Sequence, residues 1–445
     1  MTSGYSKLFG CNVHSSIRVG PMALSIINTQ QFQRMKKIKQ LGLTNWVFPT
    51  ATHTRFEHSL GVYHLAGKML EKIKTQYPDM LYNIPILSDE PLLLTDKIIE
   101  CIKIAGLCHD IGHGPFSHIF DDILLSNVTH KNHHHEQRSC LITGILCERE
   151  LRSELSDKEI LFIKSIIDPG PNDKGALYQI ICNNLNGIDV DKFDYLARDS
   201  INLKIGIEFN ANRLIDDFII DDGNIVYPKH CSADIYKMFH SRYMMHKTVY
   251  SHKTVKLLEM MLKDIFIKID PIFKISDTIN NMNDFCKLTD DSVFNLIETT
   301  INPPPFIDIK LSINDILRVH DAYKIYQNMI NRVLYKQIID IPEEDNPIDK
   351  FNLFINFIVD KHPSIKTDDF YTFVTKCGFT NNLNKSPFDD IFFYDKKENS
   401  SKFTLRRSHY SGLMNNKSQE VHYHLYCKKK DIYKIAICEL KNFTF

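Results

Sequence analysis

The chain has 445 residues, 43% hydrophobic and 24% charged, with 54 Lys+Arg balanced by 54 Asp+Glu. That length allows two to three domains and a large core, and the composition excludes disordered, fibrous and disulfide-scaffold classes. A net charge of zero gives no bulk basic signal for nucleic acid, although a local positive pocket remains open. No apolar run reaches the ~18 residues of a membrane span, and residues 1–7 contain no apolar signal core. Eleven cysteines without C-x-x-C spacing read as reduced thiols, so an intracellular protein of cytoplasm or nucleus is expected, not a secreted or membrane one.

In chain order, residues 1–20 read as extended and 22–40 as one helix, with Leu24, Ile27, Phe32, Met35 and Ile38 apolar. Residues 42–54 read as a loop around Pro49. From 55 to about 75 a helix returns, with His58, Val62, Leu65, Met69 and Ile73 on one face. A proline-punctuated linker (77–94) leads to Thr95 or Asp96 as a cap, then to a buried apolar helix. That helix ends in His109-Asp110-Ile111-Gly112-His113-Gly114-Pro115-Phe116-Ser117-His118, followed by a polar loop and a helix over 136–148. Ser156 and Glu159 fit a capping box that opens another helix, and 168–175 is a loop.

The stretch 186–199 places Asp191, Tyr195 and Arg198 or Asp199 on one side of a helix, beside Lys192. So many polar groups among Ile188, Val190, Phe193 and Leu196 mean either a wet face or a site, and periodicity does not choose. Asp222-Gly223 between apolar runs signals a hairpin. A long helix is then expected from about 234 to 267, stacking Arg242, His246 and Tyr250 on a stripe that faces either solvent or a cavity. After Pro303-Pro304-Pro305 a helix is expected over 312 to about 336, and strand-like patterns from 386 onward, with a low-complexity piece at 396–401. The expected fold is mainly α: a helical core over 21–275 with a small β-hairpin, preceded by a 1–20 segment and followed by a mixed α/β lobe over 276–445.

Histidines at a helix end can simply cap carbonyls, but His58, the His109-Asp110 pair and Asp191 on three helices make a mixed N/O set. Such a set suits Mn, Fe, Mg, Ni or Zn and leaves positions open for phosphate, whereas a closed structural zinc site would use cysteine. The order H…HD…D is that of the HD-domain phosphohydrolases. Its surroundings at 33–42, 54–61, 105–118, 135–137 and 186–199 closely resemble the SAM-and-HD-domain deoxynucleoside triphosphate triphosphohydrolase family. The likeness runs from about Lys7 to about Asn442, is looser after 276, and has no counterpart of that family's SAM module.

The resemblance implies an HD-domain core, a dNTP triphosphohydrolase activity that controls dNTP pools, and a divalent metal (Mn, Fe, Mg or Zn) on His58, His109, Asp110 and Asp191. It implies His118 as proton donor to the leaving 5′-oxygen, supported by Asp121 and His135 with Glu136 adjacent. Arg55, His113, Lys192, Tyr195, Arg242 and His246 match triphosphate-binding positions, and Gln40 and Asp199 match those that bind the 3′-hydroxyl. Leu41 and Tyr250 match the pair that leaves no room for a 2′-hydroxyl. It also implies GTP and dNTP activators and a homo-oligomer (dimer or tetramer) built through the C-terminal lobe; single-stranded nucleic acid is a further candidate partner.

Regulatory positions that match are Lys7, Gln33 and Arg332 in a guanine-reading site, and Val47, Phe48, Arg213, His252, Lys253 and Lys428 in a second activator site. Departures are Lys36 for arginine, Asn28 for the aspartate that reads guanine's donors, and Gly10, Pro228 and His230 where polar or basic groups are expected. Ser251 and Lys256 depart near the base or sugar. Catalysis with altered or absent allosteric control is therefore expected. The alternatives are an HD-domain phosphodiesterase or nuclease, which would have no use for Leu41 and Tyr250, and a non-catalytic nucleotide or single-stranded nucleic-acid binder.

Overall fold

The computed structural model describes residues 5–125, 132–206, 209–305, 310–343, 347–379, 386–395, 402–411 and 419–443; the 396–401 piece and part of the polar loop after Asp122 lie outside them. The chain is mainly helical and forms two compact units that are interleaved in sequence. The first comprises 1–241, 274–295 and 386–414, and the second 242–273, 296–385 and 415–445.

The first unit opens with an antiparallel hairpin, Lys7–Cys11 with Ser15–Val19, whose Ile17 and Val19 are fully buried. Its centre is the helix Arg55–Gln76, which packs against Asp96–Cys108 and Val190–Leu203. The Asp96–Cys108 helix starts where the Thr95 hydroxyl accepts from Ile98 N at 3.2 Å. It is apolar nearly all round, as a helix buried between neighbours must be. Asp189 caps the third helix by accepting from Lys192 N at 3.0 Å. The Ser156–Glu159 capping box forms as its residues predict. The predicted hairpin pairs Ile219–Asp221 with Asn224–Pro228, and Asn224–Pro228 also pairs in parallel with Phe392–Tyr394, giving a four-stranded sheet with Phe403–Thr404 at its edge.

Three predicted helices are revised. The 22–40 helix is broken into Pro21–Ile27, Gln30–Gln33 and a 3-10 turn Arg34–Lys37, because the Thr29 hydroxyl donates to Ile26 O (2.7 Å) and accepts from Phe32 N (3.3 Å). That bonding ends one helix and caps the next. The 234–267 helix is two helices, Ser232–Met245 and Lys253–Phe273, separated by a π-turn His246–Tyr250 in which Ser251 N donates to His246 O at 2.9 Å. The 312–336 helix stops at Ile330: Arg332 sits at φ 58°, with Arg332 N to Met329 O and Val333 N to Asn328 O closing a Schellman motif. The 42–54 loop contains a short 3-10 turn, Gly42–Trp46.

In the second unit, Lys253–Phe273 packs against Ile313–Ile330. A three-stranded antiparallel sheet runs in the order Lys336–Pro342, Gln419–Cys427, Phe370–Gly378. Phe351, Phe354, Ile358, Leu425 and Ala436 fill the core between this sheet and the helices Pro347–Lys361 and Lys430–Leu440.

Candidate active site

The three packed helices of the first unit bring four side chains to one point. His58 Nε2 lies 3.3 Å from His109 Nε2, 3.5 Å from Asp110 Oδ2 and 3.0 Å from Asp191 Oδ1. His109 Nε2 lies 3.5 Å from Asp110 Oδ1 and 3.4 Å from Asp191 Oδ1. Two imidazoles and two carboxylates converging at these distances make a mixed N/O donor set that fits a divalent ion.

The far ring nitrogens are engaged elsewhere. His58 Nδ1 donates to Asp194 Oδ2 at 2.8 Å, and His109 Nδ1 donates to Gly106 O at 2.7 Å. Each bond leaves Nε2 aimed at the centre, which is how metal-binding histidines are oriented. Asp194 also accepts from Arg198 Nε (2.8 Å) and Nη2 (2.9 Å), and lies 2.6 Å from His14 Nε2 on the N-terminal hairpin. A Cβ on Gly61 would fall into the Asp194 carboxylate, so that helix position must stay bare. Sequence reasoning missed Asp194, His14 and this role for Arg198; the available signal was the Asp191, Asp194, Arg198 spacing of i, i+3, i+7.

Burial opposes charge on His58, but the hydrogen bonds to Asp191 and Asp194 prevail and raise its pKa to about 10. Burial works against the Asp194 charge too, yet Arg198, His14 and His58 hold that carboxyl well below the usual range. Its contribution to stability is therefore present above the unfolded carboxylate value near 4 and is lost as pH falls through the lower folded value. Asp194→Asn is expected to lower stability by about 3–5 kcal/mol, because it leaves Arg198 buried without its partner. It is also expected to weaken metal binding roughly 10–100-fold. Denaturant melts and metal titration check this, and an unchanged midpoint with unchanged affinity would sink it.

The segment after the His-Asp pair is braced from several directions. Arg34 donates to Ile111 O (3.3 Å) and His113 O (2.7 Å), and the fully buried Arg138 donates to Gly112 O (2.9 Å). A Cβ on Gly112 would strike the backbone at His135 O and Ser139 N. Phe116 (φ 61°) and Ser117 (φ 60°) are both left-handed, a costly backbone that persists only where its surroundings enforce it. Asp290 does so: Oδ1 accepts from Phe116 N at 2.7 Å and Oδ2 from Lys39 N at 2.9 Å. Ser117 Oγ accepts from Arg55 Nε at 2.9 Å, and Arg55 also pairs with Asp110. This turn projects His118.

The His118 ring lies 4.9 Å from that of His113 and 5.5 Å from that of His135, and the His113 and His135 rings stack at 3.7 Å. Asp121 Oδ2 accepts from His135 N (3.1 Å) and Nδ1 (3.0 Å), and its other oxygen pairs with Arg138. His118 is exposed on its outer side. Desolvation by the protein around it, then the positive charges of Arg55 and His135, lower its pKa to about 3. The carboxylates of Asp110 and Asp121 oppose this shift without reversing it. His113 is pushed down for the same reasons in the same order and is neutral at pH 7.

Other predicted positions fall nearby in the same unit. The Tyr195 ring is 6.5 Å from that of His58, and Lys192 Nζ lies 3.0 Å from Asp189 Oδ2. Gln40 and Asp199 are linked through His53, which the sequence did not single out: Gln40 N donates to His53 O (3.0 Å) and His53 Nε2 lies 2.7 Å from Asp199 Oδ1. Gln40 Oε1 is buried with no hydrogen-bond partner among the described residues. Leu41 follows it at the entry to the Gly42–Trp46 turn. Arg242, His246 and Tyr250 belong to the second unit, where the His246 and Tyr250 rings meet edge-on at 4.8 Å and Arg242 Nη1 donates to Gly378 O at 2.7 Å.

The regulatory positions are divided between the units. In the first, Lys7 and Lys36 lie over Phe9 (5.1 Å) and Phe56 (4.6 Å), rings that themselves meet edge-on. Gln33 Nε2 donates to Ile27 O at 2.7 Å, and Asn28 ends the first helix with its side chain exposed. Val47 and Phe48 follow the 3-10 turn, and Arg213 pairs with Asp234 at 3.0 Å. In the second, His252 Nδ1 accepts from Thr254 N (3.2 Å), Lys253 begins the long helix, Arg332 holds its left-handed cap, and Lys428 Nζ lies 3.2 Å from Asp264 Oδ1.

Residues 55–199, which carry all four converging side chains, match the HD domain, a metal-dependent phosphohydrolase domain; His58, His109 and Asp110 among them are grouped closely enough to hold a metal ion. The fold and site thus define a protein of the HD-domain class. An HD domain-containing protein of Acanthamoeba polyphaga mimivirus is 60% identical over 440 residues, covering 99% of this chain and 96% of that protein. The deoxynucleoside triphosphate triphosphohydrolase SAMHD1 homolog of Dictyostelium discoideum is 33% identical over 429 residues (96% of this chain, 78% of that one). SAMHD1 of Gallus gallus is 32% identical over 480 residues (97% and 73%). The chain belongs to the SAMHD1 family of deoxynucleoside triphosphate triphosphohydrolases. Among the described residues no helix is long and apolar enough to cross a membrane.

Proposed function

We propose that the protein hydrolyses dNTPs to deoxynucleoside and inorganic triphosphate and so lowers dNTP pools. The observation that carries the reading is the convergence of His58, His109, Asp110 and Asp191 beside the projected His118. Those four residues would hold a divalent ion (Mn, Fe, Mg or Zn), which when bound would supply Lewis acidity to a phosphate oxygen and acidify a water. Arg55, His113, Lys192 and Tyr195 bind the triphosphate, joined by Arg242 and His246, and hold its α-phosphorus in line for attack. As water adds and the Pα–O5′ bond breaks, His118 gives its proton to the departing 5′-oxygen. Asp121 and His135, with Glu136 3.4 Å from His135, orient that donor. The negative charge of bound triphosphate raises the His118 pKa from its low value in the free protein, so the donor is loaded when substrate arrives.

Gln40 and Asp199 bind the 3′-hydroxyl, and the unpartnered Gln40 Oε1 supports this because a buried acceptor without a donor is costly until a ligand supplies one. Leu41 and Tyr250 exclude a 2′-hydroxyl. GTP and dNTPs are proposed as activators at Lys7, Asn28, Gln33, Lys36 and Arg332, and at Val47, Phe48, Arg213, His252, Lys253 and Lys428. Asn28 accepts only one of the two guanine donors an aspartate would accept, so guanine selectivity is weakened. We also propose a homo-oligomer assembled through the C-terminal lobe, single-stranded nucleic acid as a secondary partner, and a reducing intracellular location, which the eleven free cysteines support.

Incubating the protein with each dNTP and NTP, with Mn or Mg and with or without GTP, tests the reading. Deoxynucleoside release from dNTPs and none from NTPs is expected; no release from any dNTP defeats it. Metal affinity should also depend on pH. A cation entering the centre displaces the proton that His58 holds with its pKa near 10, so binding strengthens as pH rises. Isothermal titration between pH 6 and 8 should show affinity rising roughly tenfold per unit for one released proton. A flat profile would show that His58 holds no such proton in the metal-free protein.

A further inference from the structure

A second group of metal-type ligands lies in the first unit and shares no residue with the centre above. Asp217 ends the helix Ala211–Asp217, and His230 and Cys231 lie on the 3-10 turn Lys229–Cys231. His230 Nε2 is 2.9 Å from Asp217 Oδ2, and Cys231 Sγ is 3.8 Å from the same oxygen. One ligand atom from each residue lies within 4.8 Å of the others. Tetrahedral zinc with ordinary bond lengths would put N and O about 3.4 Å apart and S and O about 3.6 Å apart. The observed 2.9 Å is shorter than the first value and the observed 3.8 Å longer than the second, each by tenths of an ångström, so small ligand shifts suffice.

The surroundings hold the three in place. Tyr394 Oη donates to Asp217 O at 3.2 Å, and Tyr394 sits on the strand that pairs in parallel with Asn224–Pro228, immediately before the turn. Cys231 is fully buried while His230 is exposed, so the site is anchored on one side and reaches solvent on the other. Lys229 Nζ lies 3.9 Å from Asp395, a counter-charge outside the three ligands. The donor chemistry also differs from that of the first centre: imidazole, carboxylate and thiolate suit zinc, whereas an all-N/O set also takes Mg or Mn.

We propose that Asp217, His230 and Cys231 form a second cation site, specific for zinc and similar borderline-soft divalent ions, with its fourth position open to water. Binding releases the Cys231 thiol proton. The ion ties the end of Ala211–Asp217 to the turn that launches Ser232–Met245, so its role is to fix these two elements rather than to act on substrate.

The test is a cobalt titration of the full-length protein after chelator stripping, read by absorbance. Wild type is expected to develop a thiolate-to-cobalt charge-transfer band that zinc abolishes stoichiometrically and magnesium does not. Cys231→Ser should lose the band entirely. His230→Ala, at an exposed position that does not threaten the core, should weaken cobalt binding at least about tenfold. His109→Ala with Asp110→Ala should keep the band, which separates this site from the proposed catalytic centre and from the proposed function. Absence of the band in folded wild type overturns the proposal. So does a band of unchanged affinity in His230→Ala, which decides the matter if Cys231→Ser fails to fold.

Discussion

Replacing His109 and Asp110 together by alanine is expected to abolish bound metal and lower dNTP turnover by at least about 10⁴-fold. Two of the four converging ligands disappear, and His58 and Asp191, 3.0 Å apart, are left to pair with each other. The change also frees Arg55 from Asp110, leaving that buried guanidinium held only on its Ser117 side. Some loss of stability is therefore expected alongside the loss of activity, so the two must be measured separately. Metal content by elemental analysis, turnover at saturating dNTP and a thermal melt distinguish them. A folded variant that keeps its metal and more than about a tenth of its turnover would be incompatible with this centre.

His118→Gln is expected to lower kcat by about 10²–10⁴-fold while leaving metal content intact. The residue belongs to no part of the metal set, and its neighbours are the rings of His113 and His135. Its effect on KM should be small, because the proton it supplies matters when the 5′-oxygen departs and not when substrate binds. The pH dependence has a definite sign. A proton donor is lost as pH rises through its pKa in the substrate complex, so the wild-type kcat must fall on the alkaline side. In His118→Gln that limb should vanish. An alkaline limb that persists unchanged in the variant would assign the proton to another group.

The four residues proposed as ligands stand out in the sequence because metal chemistry restricts such positions to a few residue types, and because each stands at the head or end of an apolar helix. Their supporting residues do not. Arg34, Arg138 and Asp290 are buried polar groups whose partners lie on other segments, and single-chain periodicity carries no record of such contacts; Asp194 left only its helical spacing to Arg198 as a trace. His14 reaches Asp194 across 180 residues of sequence. The helix errors have local causes. Thr29 is tolerated in a helical pattern but bonds here as a cap, and Arg332 takes a left-handed position usually given to glycine or asparagine, while the apolar run beyond it suggested a longer helix. The strands Lys336–Pro342 and Phe370–Gly378 were missed because their partner Gln419–Cys427 lies far along the chain and supplies the register.

Hydrolysis is expected at the α-phosphorus, with departure of the 5′-oxygen. Turnover of a dNTP in ¹⁸O-labelled water, followed by mass spectrometry of both products, tests it most directly. Unlabelled deoxynucleoside and a triphosphate carrying one ¹⁸O atom are expected. Formation of deoxynucleoside monophosphate and pyrophosphate, or label in the deoxynucleoside, would contradict it.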